Sequence, residues 1–384
     1  MNFDLNPAQK DIQARARRFA QEEVLPIARE ADEKGEFPLH LVRRMAELGF
    51  LAGPLEPEYG GAGMDHLSFA LVCEELGRAD ASVRGFLTVQ ASLVCQCIRE
   101  WGTEQQRQRY LPRLAAGEWI GCYALTEPGS GSDVASLQTS AREEKDHYVL
   151  SGEKIWITNG TLAHLAVVFA TVDPSARHKG ICAFLVETGT PGFRREQMPG
   201  RPLGHRASDH ARIILDACRV PRSALLGAPH EGFQVALSAL DHGRLGVAAG
   251  AVGLAQACLE ACLDFTSHRR QFGQRIADFQ AIQMTLADMA TEVDAARLLT
   301  YRAAWMKDQG LPATKETSIA KLFATEVAAR AASEAVLVHG SRGYSNTYPV
   351  ERHYRDVKGL QIYEGTSHIQ RLIIARDLIV HAGR

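Results

Sequence analysis

The sequence has no surplus of either charge. Lys and Arg number 43 against 45 Asp and Glu, which argues against the broad basic surface that nucleic acid or an anionic membrane demands. Its eight cysteines, Cys73, Cys95, Cys97, Cys122, Cys182, Cys218, Cys258 and Cys262, form no CxxC pair and no zinc-like cluster with histidine. We therefore read them as reduced packing residues and expect no metal. Long apolar runs are also missing: the longest, Leu245 to Ala255, is rich in Gly and Ala and too short to span a bilayer. The opening residues, MNFDLNPAQKD, are acidic where a secretory signal needs a basic end and an apolar run. A soluble cytoplasmic protein without membrane insertion is the expectation, and neither internal repeats nor low-complexity segments are evident.

What the sequence does hold is apolar material. Of its 384 residues 46% are hydrophobic, enough to bury a core in one large or two to three smaller domains. The pattern predicts an α+β protein in three parts: a helical domain over 1–121, a β domain over 122–228 and a helical bundle over 229–384. In the first part Asn6 reads as an N-cap, with Pro7 at the first helical position and Gln9 at the third. Further helices are expected at 39–47, 67–76 and 83–101. The middle part changes to short β-branched runs, at 148–150, 155–158, 166–172, 181–186 and 212–215, with no helical pattern between them, which favours an antiparallel barrel or sandwich over a Rossmann unit. The helical period then returns, with stripes such as Leu286, Met289, Val293 and Ala296 that suit a four-helix bundle.

Two segments of the β domain invite a ligand reading. Tyr123 to Asp133, YALTEPGSGSD, starts as a strand and ends in small residues. Its glycines admit close backbone approach, while Thr126 and Ser132 offer hydroxyls, so it is either a polar cradle for a heterocycle or phosphate or an ordinary turn. In Trp156-Ile157-Thr158 strand alternation puts the indole and the hydroxyl on one face, where they could meet a planar ring or could be a core Trp beside a surface Thr.

TEPGSGSD (126–133) followed by KIWITNG (154–160) resembles the acyl-CoA dehydrogenase family, and the likeness extends over nearly the whole chain. PEYGGAGMD (57–65), LDHGR (240–244), RRQFG (269–273) with Gln280, and YPVERHYRDVKGLQIYEGTSHIQR (348–371) follow in the family's order. The last half looks closest to the short- and medium-chain dehydrogenases. The resemblance implies FAD as cofactor: Tyr123, Leu125 and Thr126 against the isoalloxazine, Gly131 and Ser132 near the pyrophosphate and the thioester arm, Trp156 beside the ring system, and Thr158 on N5, the hydride acceptor. Arg269, Phe272 and Gln280 match residues that hold the adenine diphosphate half, part of which a neighbouring subunit grips. A homodimer or a dimer of dimers (a homotetramer) is therefore implied. The partner segment in relatives carries a Gln and two adjacent glycines, where this chain has Leu337, Gly340 and Ser341; His339 or Arg342 could substitute. Thr366 and Ser367 complete the cofactor set.

The same likeness makes Glu364 the base that removes the α-proton of an acyl-CoA in fatty acid metabolism. Taken by itself, Glu364 reads equally as a solvated loop carboxylate. Isovaleryl-type relatives carry their base at a position that here is Gly243, which cannot serve. Tyr363 and Gly365 flank the base at the substrate, and Asp241 and Arg244 match residues that steady it and contact the pantetheine arm; a surface ion pair is the plainer reading of the latter two. An electron-transfer flavoprotein is the implied electron acceptor. Three alternatives stay open: an acyl group carried on an acyl carrier protein, an acyl-CoA oxidase or flavin oxygenase on the same fold, and a non-enzymatic flavoprotein. Arg84, Gln90, Gln96 and Arg99 make the helix near 83–101 more polar than a simple acyl pocket suggests, and are expected to face solvent.

Overall fold

The computed structural model describes residues 4–382. Its first part is helical: α1 (Pro7–Phe19), α2 (Leu25–Lys34), α3 (His40–Glu47), α4 (His66–Ala79), α5 (Ala81–Thr88), α6 (Gln96–Trp101) and α7 (Glu104–Ala115). The expected N-terminus forms as a capping box, with Asn6 Oδ1 accepting from Gln9 N at 2.9 Å and Gln9 Oε1 accepting from Asn6 N at 3.0 Å. Asp80 caps α5 without a reciprocal bond, its Oδ1 accepting from Ser82 N at 2.8 Å and Val83 N at 2.9 Å. A π-helical stretch, Val89–Cys95, joins α5 to α6, and such bulges gather at functional sites.

Eight strands follow: β1 (Gly121–Ala124), β2 (Ser140–Glu143), β3 (His147–Thr158), β4 (Leu165–Thr171), β5 (Ile181–Glu187), β6 (Phe193–Gln197), β7 (His210–Pro221) and β8 (Leu225–Leu226). They form one sheet in the order β6-β7-β3-β2-β4-β5-β8, with β1 alongside β4. The sheet is mostly antiparallel, but β1 and β2 each pair with β4 in parallel. It is open, with no closed barrel of the kind expected. At its ends lie the two-residue β8 and β6, of which only Phe193 is buried, and these two edges do not pair with each other. Along β4, Leu165, Val167 and Phe169 join one core while Ala166, Val168 and Ala170 join another. Burial on both faces explains why this strand reads as an unbroken apolar run.

The C-terminal part comprises α8 (Gly232–His268), α9 (Gln280–Asp308), α10 (Thr314–His339), α11 (Pro349–Ile362) and α12 (Ser367–Ala382). The stripe Met289, Val293 and Ala296 faces the helical core together with residues of α4 and α8. Two helical stretches, Ala81–Trp101 and Gly232–His268, are long and apolar enough to cross a membrane, but 94% and 78% of their apolar windows are buried inside the protein. They are core helices. All eight cysteines are buried and free.

Candidate active site

A cavity of about 430 Å³ opens where β1, β3, the α5 helix, α8 and the loop after α11 converge. The loop supplies the base candidate. Glu364 (φ 54°) and Gly365 (φ 91°) are consecutive left-handed residues, a conformation that costs a non-glycine residue about 1–2 kcal/mol. Interior donors hold the turn: Lys321 Nζ and Gln370 Nε2 donate to Gly365 O at 2.8 and 3.0 Å, and Gln370 Nε2 also reaches Glu364 O at 3.2 Å. The turn then enters α12, where Thr366 Oγ1 accepts from Ile369 N at 3.3 Å and Ser367 donates to Glu326 Oε1 at 2.7 Å. Thr366 and Ser367 therefore anchor the loop.

The turn aims the Glu364 carboxylate into the cavity, where Oε2 is buried without a hydrogen-bond partner. Burial raises its pKa to about 7, against the pull of Arg84, Lys321 and Arg244, which favour the charged form. Gly243 on α8 makes the room. A Cβ there would stand 2.0 Å from Glu364 Oε2, so side chains from positions 243 and 364 would compete for one place. Asp241 and Arg244 are not a surface pair. Asp241 accepts from Lys307 Nζ at 2.7 Å and Thr317 Oγ1 at 3.0 Å, with buried Arg244 3.7 Å away.

The opposite wall comes from the sheet. Tyr123 donates its hydroxyl to Ala236 O at 3.1 Å and packs against Phe169. Leu125 and Thr126 continue the wall, fixed by Ile155 N donating to Thr126 O at 2.9 Å and by Lys154 Nζ, which bonds Leu125 O at 3.2 Å and Glu127 Oε1 at 2.6 Å. Trp156 and Thr158 both reach the cavity, though not by simple alternation. The β3–β7 register slips between Lys154 and Ile157, and Trp156 takes φ 57°. This bulge re-aims the indole, leaving it 50% exposed. Thr158 Oγ1 lies 3.3 Å from His210 Nδ1. A half-exposed indole beside threonine hydroxyls suits a planar polar ring, so these residues fit the flavin that the motifs imply.

Other expected site residues stand elsewhere. Gly131 and Ser132 are exposed and do not line the cavity. Arg269 lies at the end of α8, Phe272 is 95% exposed at the tip of a short hairpin, and Gln280 begins α9. Leu337 is 68% exposed, and Gly340 and Ser341 follow α10 in a 3₁₀ turn. His339 turns inward instead, with Nδ1 2.8 Å from Ala335 O and its ring stacked on Phe265. It cannot reach outward for a nucleotide. Arg342 lies over that same phenylalanine.

The polar residues near 83–101 overturn an expectation. Arg84, Gln90 and Gln96 are buried, not solvent-facing. Gln90 staples the helix to β1, donating to Leu114 O and Trp119 O at 3.0 Å each and accepting from Gly121 N at 2.7 Å. Arg99 pairs with Glu56. Arg84 lines the cavity and donates to the Tyr363 hydroxyl. The surrounding FLTVQASLVC carries no charge and places apolar residues on every face, a pattern that suits a helix buried whole. Lys321, also missed, sits among small residues of α10 where its charge gave no hint of burial.

Family models for the acyl-CoA dehydrogenase N-terminal, middle and C-terminal domains match residues 6–118, 122–218 and 230–379. The chain is 44% identical to the mitochondrial short-chain specific acyl-CoA dehydrogenase of Mus musculus, over 98% of this chain and 92% of that one. Among solved structures it is similar to butyryl-CoA dehydrogenase from Megasphaera elsdenii, at 39% identity and a TM-score of 0.96 over 99% and 100% of the two chains. A glutaryl-coenzyme A dehydrogenase in complex with glutaryl-CoA is similar at 37% identity and a TM-score of 0.95 over 99% and 97%. Matched over nearly its whole length and built around a buried loop carboxylate that shares its cavity with Trp156 and Thr158, the chain belongs to the acyl-CoA dehydrogenase family, whose FAD-dependent oxidation of acyl-CoA it shares.

Proposed function

We propose that Glu364 is the α-proton base of this dehydrogenation, and that the acyl thioester lies between it and the wall formed by Tyr123, Leu125, Thr126, Trp156 and Thr158. The observation that carries this reading is the unpartnered carboxylate oxygen aimed into the cavity over Gly243. An α C–H is a weak acid, so its removal needs both a base of suitable strength and donors at the carbonyl where enolate charge develops. Burial supplies the first by raising Glu364 to about 7. For the second, the Glu364 backbone N–H donates to the thioester carbonyl. Lys321, through Gly365 O, holds the loop in place, and Asp241 with Arg244 braces the helix behind it. FAD, bound against Trp156 and Thr158, supplies the hydride acceptor.

The nucleotide half is assigned to Arg269, Phe272 and Gln280 of one chain and to Leu337, Gly340 and Ser341 of another, with Gly131 and Ser132 at the pyrophosphate. Apolar side chains left bare on these elements, Phe272, Met284, Leu337 and Tyr344, support a homodimer or a dimer of dimers. An electron-transfer flavoprotein reoxidises the enzyme, in the cytoplasm. Anaerobic titration of the purified yellow protein with a panel of acyl-CoA thioesters tests the whole reading. Bleaching of the flavin absorbance by at least one of them is expected, and a flavin that no acyl-CoA bleaches would refute it.

A further inference from the structure

Among the described residues Arg84 heads the fully buried side chains by volume, and it does so on the wall of the acyl cavity. Its hydrogen-bond partners are neutral, and the Glu364 carboxylate acts on it only through space. One terminal nitrogen reaches Thr88 Oγ1 at 3.4 Å, the other donates to the Tyr363 hydroxyl, and Nε has no partner. Thr88 gives its own proton to Arg84 O at 3.0 Å, so it fixes the arginine and keeps no donor for a ligand. Gly250 on α8 leaves the space that Arg84 fills, since a Cβ there would stand 2.7 Å from Nε. Arg355, on the same cavity, is by contrast held by Asp32 at 2.8 Å and Glu351 at 2.7 Å. No described carboxylate lies within ion-pair distance of Arg84.

A guanidinium withdrawn from water needs an anion. Glu364 shares the cavity but must accept a proton during the reaction, and then ceases to be one. The wall itself shows where an anion would come from. Leu93, Val89, Gly85 and Arg84 all line the cavity, so over roughly two and a half helical turns the surface passes from apolar to cationic. An acyl chain lying along Leu93 and Val89 meets the guanidinium. Tyr363, which accepts from Arg84, retains its phenolic proton and can donate beside it.

We propose that the preferred substrate is the monothioester of a short dicarboxylic acid, its thioester at Glu364 and its free carboxylate on Arg84 and the Tyr363 hydroxyl. The proposal rests on the reading of this cavity as the acyl site. Planar guanidinium–carboxylate pairing supplies orientation as well as charge, and a neutral chain of equal length leaves Arg84 buried and unpaired.

The test compares glutaryl-CoA with butyryl-CoA in anaerobic flavin reduction by the holoenzyme. Wild-type kcat/KM is expected to favour glutaryl-CoA by about 10-fold or more, and Arg84→Met to lower that ratio by about 10²-fold or more. Arg84→Lys, which keeps charge but not the fork, should retain part of the preference. Binding is read separately in Glu364→Gln by calorimetry. Adding Arg84→Met there should weaken glutaryl-CoA by about 10²-fold and butyryl-CoA by less than about 3-fold. A wild-type enzyme that reduces as fast or faster with butyryl-CoA, or an Arg84→Met change that weakens both thioesters alike, overturns the proposal while leaving the dehydrogenase reading intact. Failure of both thioesters to bleach a wild-type flavin that another acyl-CoA of the panel does bleach overturns the proposal alone; the dehydrogenase reading falls only if no acyl-CoA bleaches it. If Arg84→Met does not fold, the wild-type ratio alone decides.

Discussion

Two regions of this molecule carry residues matched to one reaction, and they differ in how finished they are. Around Glu364 each element has its counterpart within the chain: Gly243 clears the space, Lys321 and Gln370 hold the turn, and the bulge in β3 turns Trp156 to face it. Around Phe272, among the described residues, the proposed site stays open. The hairpin tip is 95% exposed, Leu337 is 68% exposed and Tyr344 is 90% exposed. On the proposed reading a single chain contains the machinery for moving a proton, whereas the nucleotide half of the cofactor is gripped with the help of a second copy. Substitutions in the first region should damage catalysis with cofactor retained, and those in the second should release the cofactor.

After replacement of the base itself, the sharpest break expected in the first region comes from Gly243→Ala. Its methyl group would stand 2.0 Å from Glu364 Oε2 and 2.9 Å from Leu93 Cδ2, so the carboxylate must move. A displacement near 1 Å costs a positioned group about 10²-fold. Single-turnover flavin reduction should slow by that order with flavin content unchanged, and an undisturbed rate would mean that the base does not occupy this place.

Arg269→Ala probes the other region. Loss of charge-assisted hydrogen bonds to a phosphate should weaken FAD binding by about 10- to 10²-fold, giving largely apoprotein on purification. Normal flavin content would remove Arg269 from the cofactor site and the contrast between the regions with it.

The smallest effect is a shift in pH dependence. Because Glu364 sits near 7 and acts deprotonated, kcat/KM should rise with pH and level off above about 7. Cations lower this value, so Lys321→Met, by removing one, should move the rising limb to higher pH; a limb that stays put or moves down would separate Lys321 from the base.

The sequence made the first region legible only in part. Motifs named Glu364, Trp156 and Thr158, and the position of Gly243 was informative because a glycine there excludes one alternative base. Strand periodicity found the buried β4 but not the open edges of the sheet, since closure depends on whether the end strands β6 and β8 pair and not on apolar pattern. The same limit hid the bulge at Trp156, which moves a side chain without altering composition. Arg84 is buried against the expectation from its charge, because the largely apolar helix that carries it packs inside the protein. In the proposed nucleotide region folding turns His339 into the core, which no reading of residue types would indicate.

The central claim, that Glu364 is the base and that this cavity is its working place, is tested most directly by Glu364→Gln. The amide keeps the shape of the side chain and removes its basicity, so binding should survive while proton removal fails. Mixing the oxidised variant with a substrate thioester that bleaches the wild type should shift the flavin spectrum, with reduction slowed by about 10²- to 10⁴-fold, the range for losing a general base. Bleaching at a rate near that of the wild type would contradict the account and pass the role to another group on the same wall, with Tyr363 the first to test.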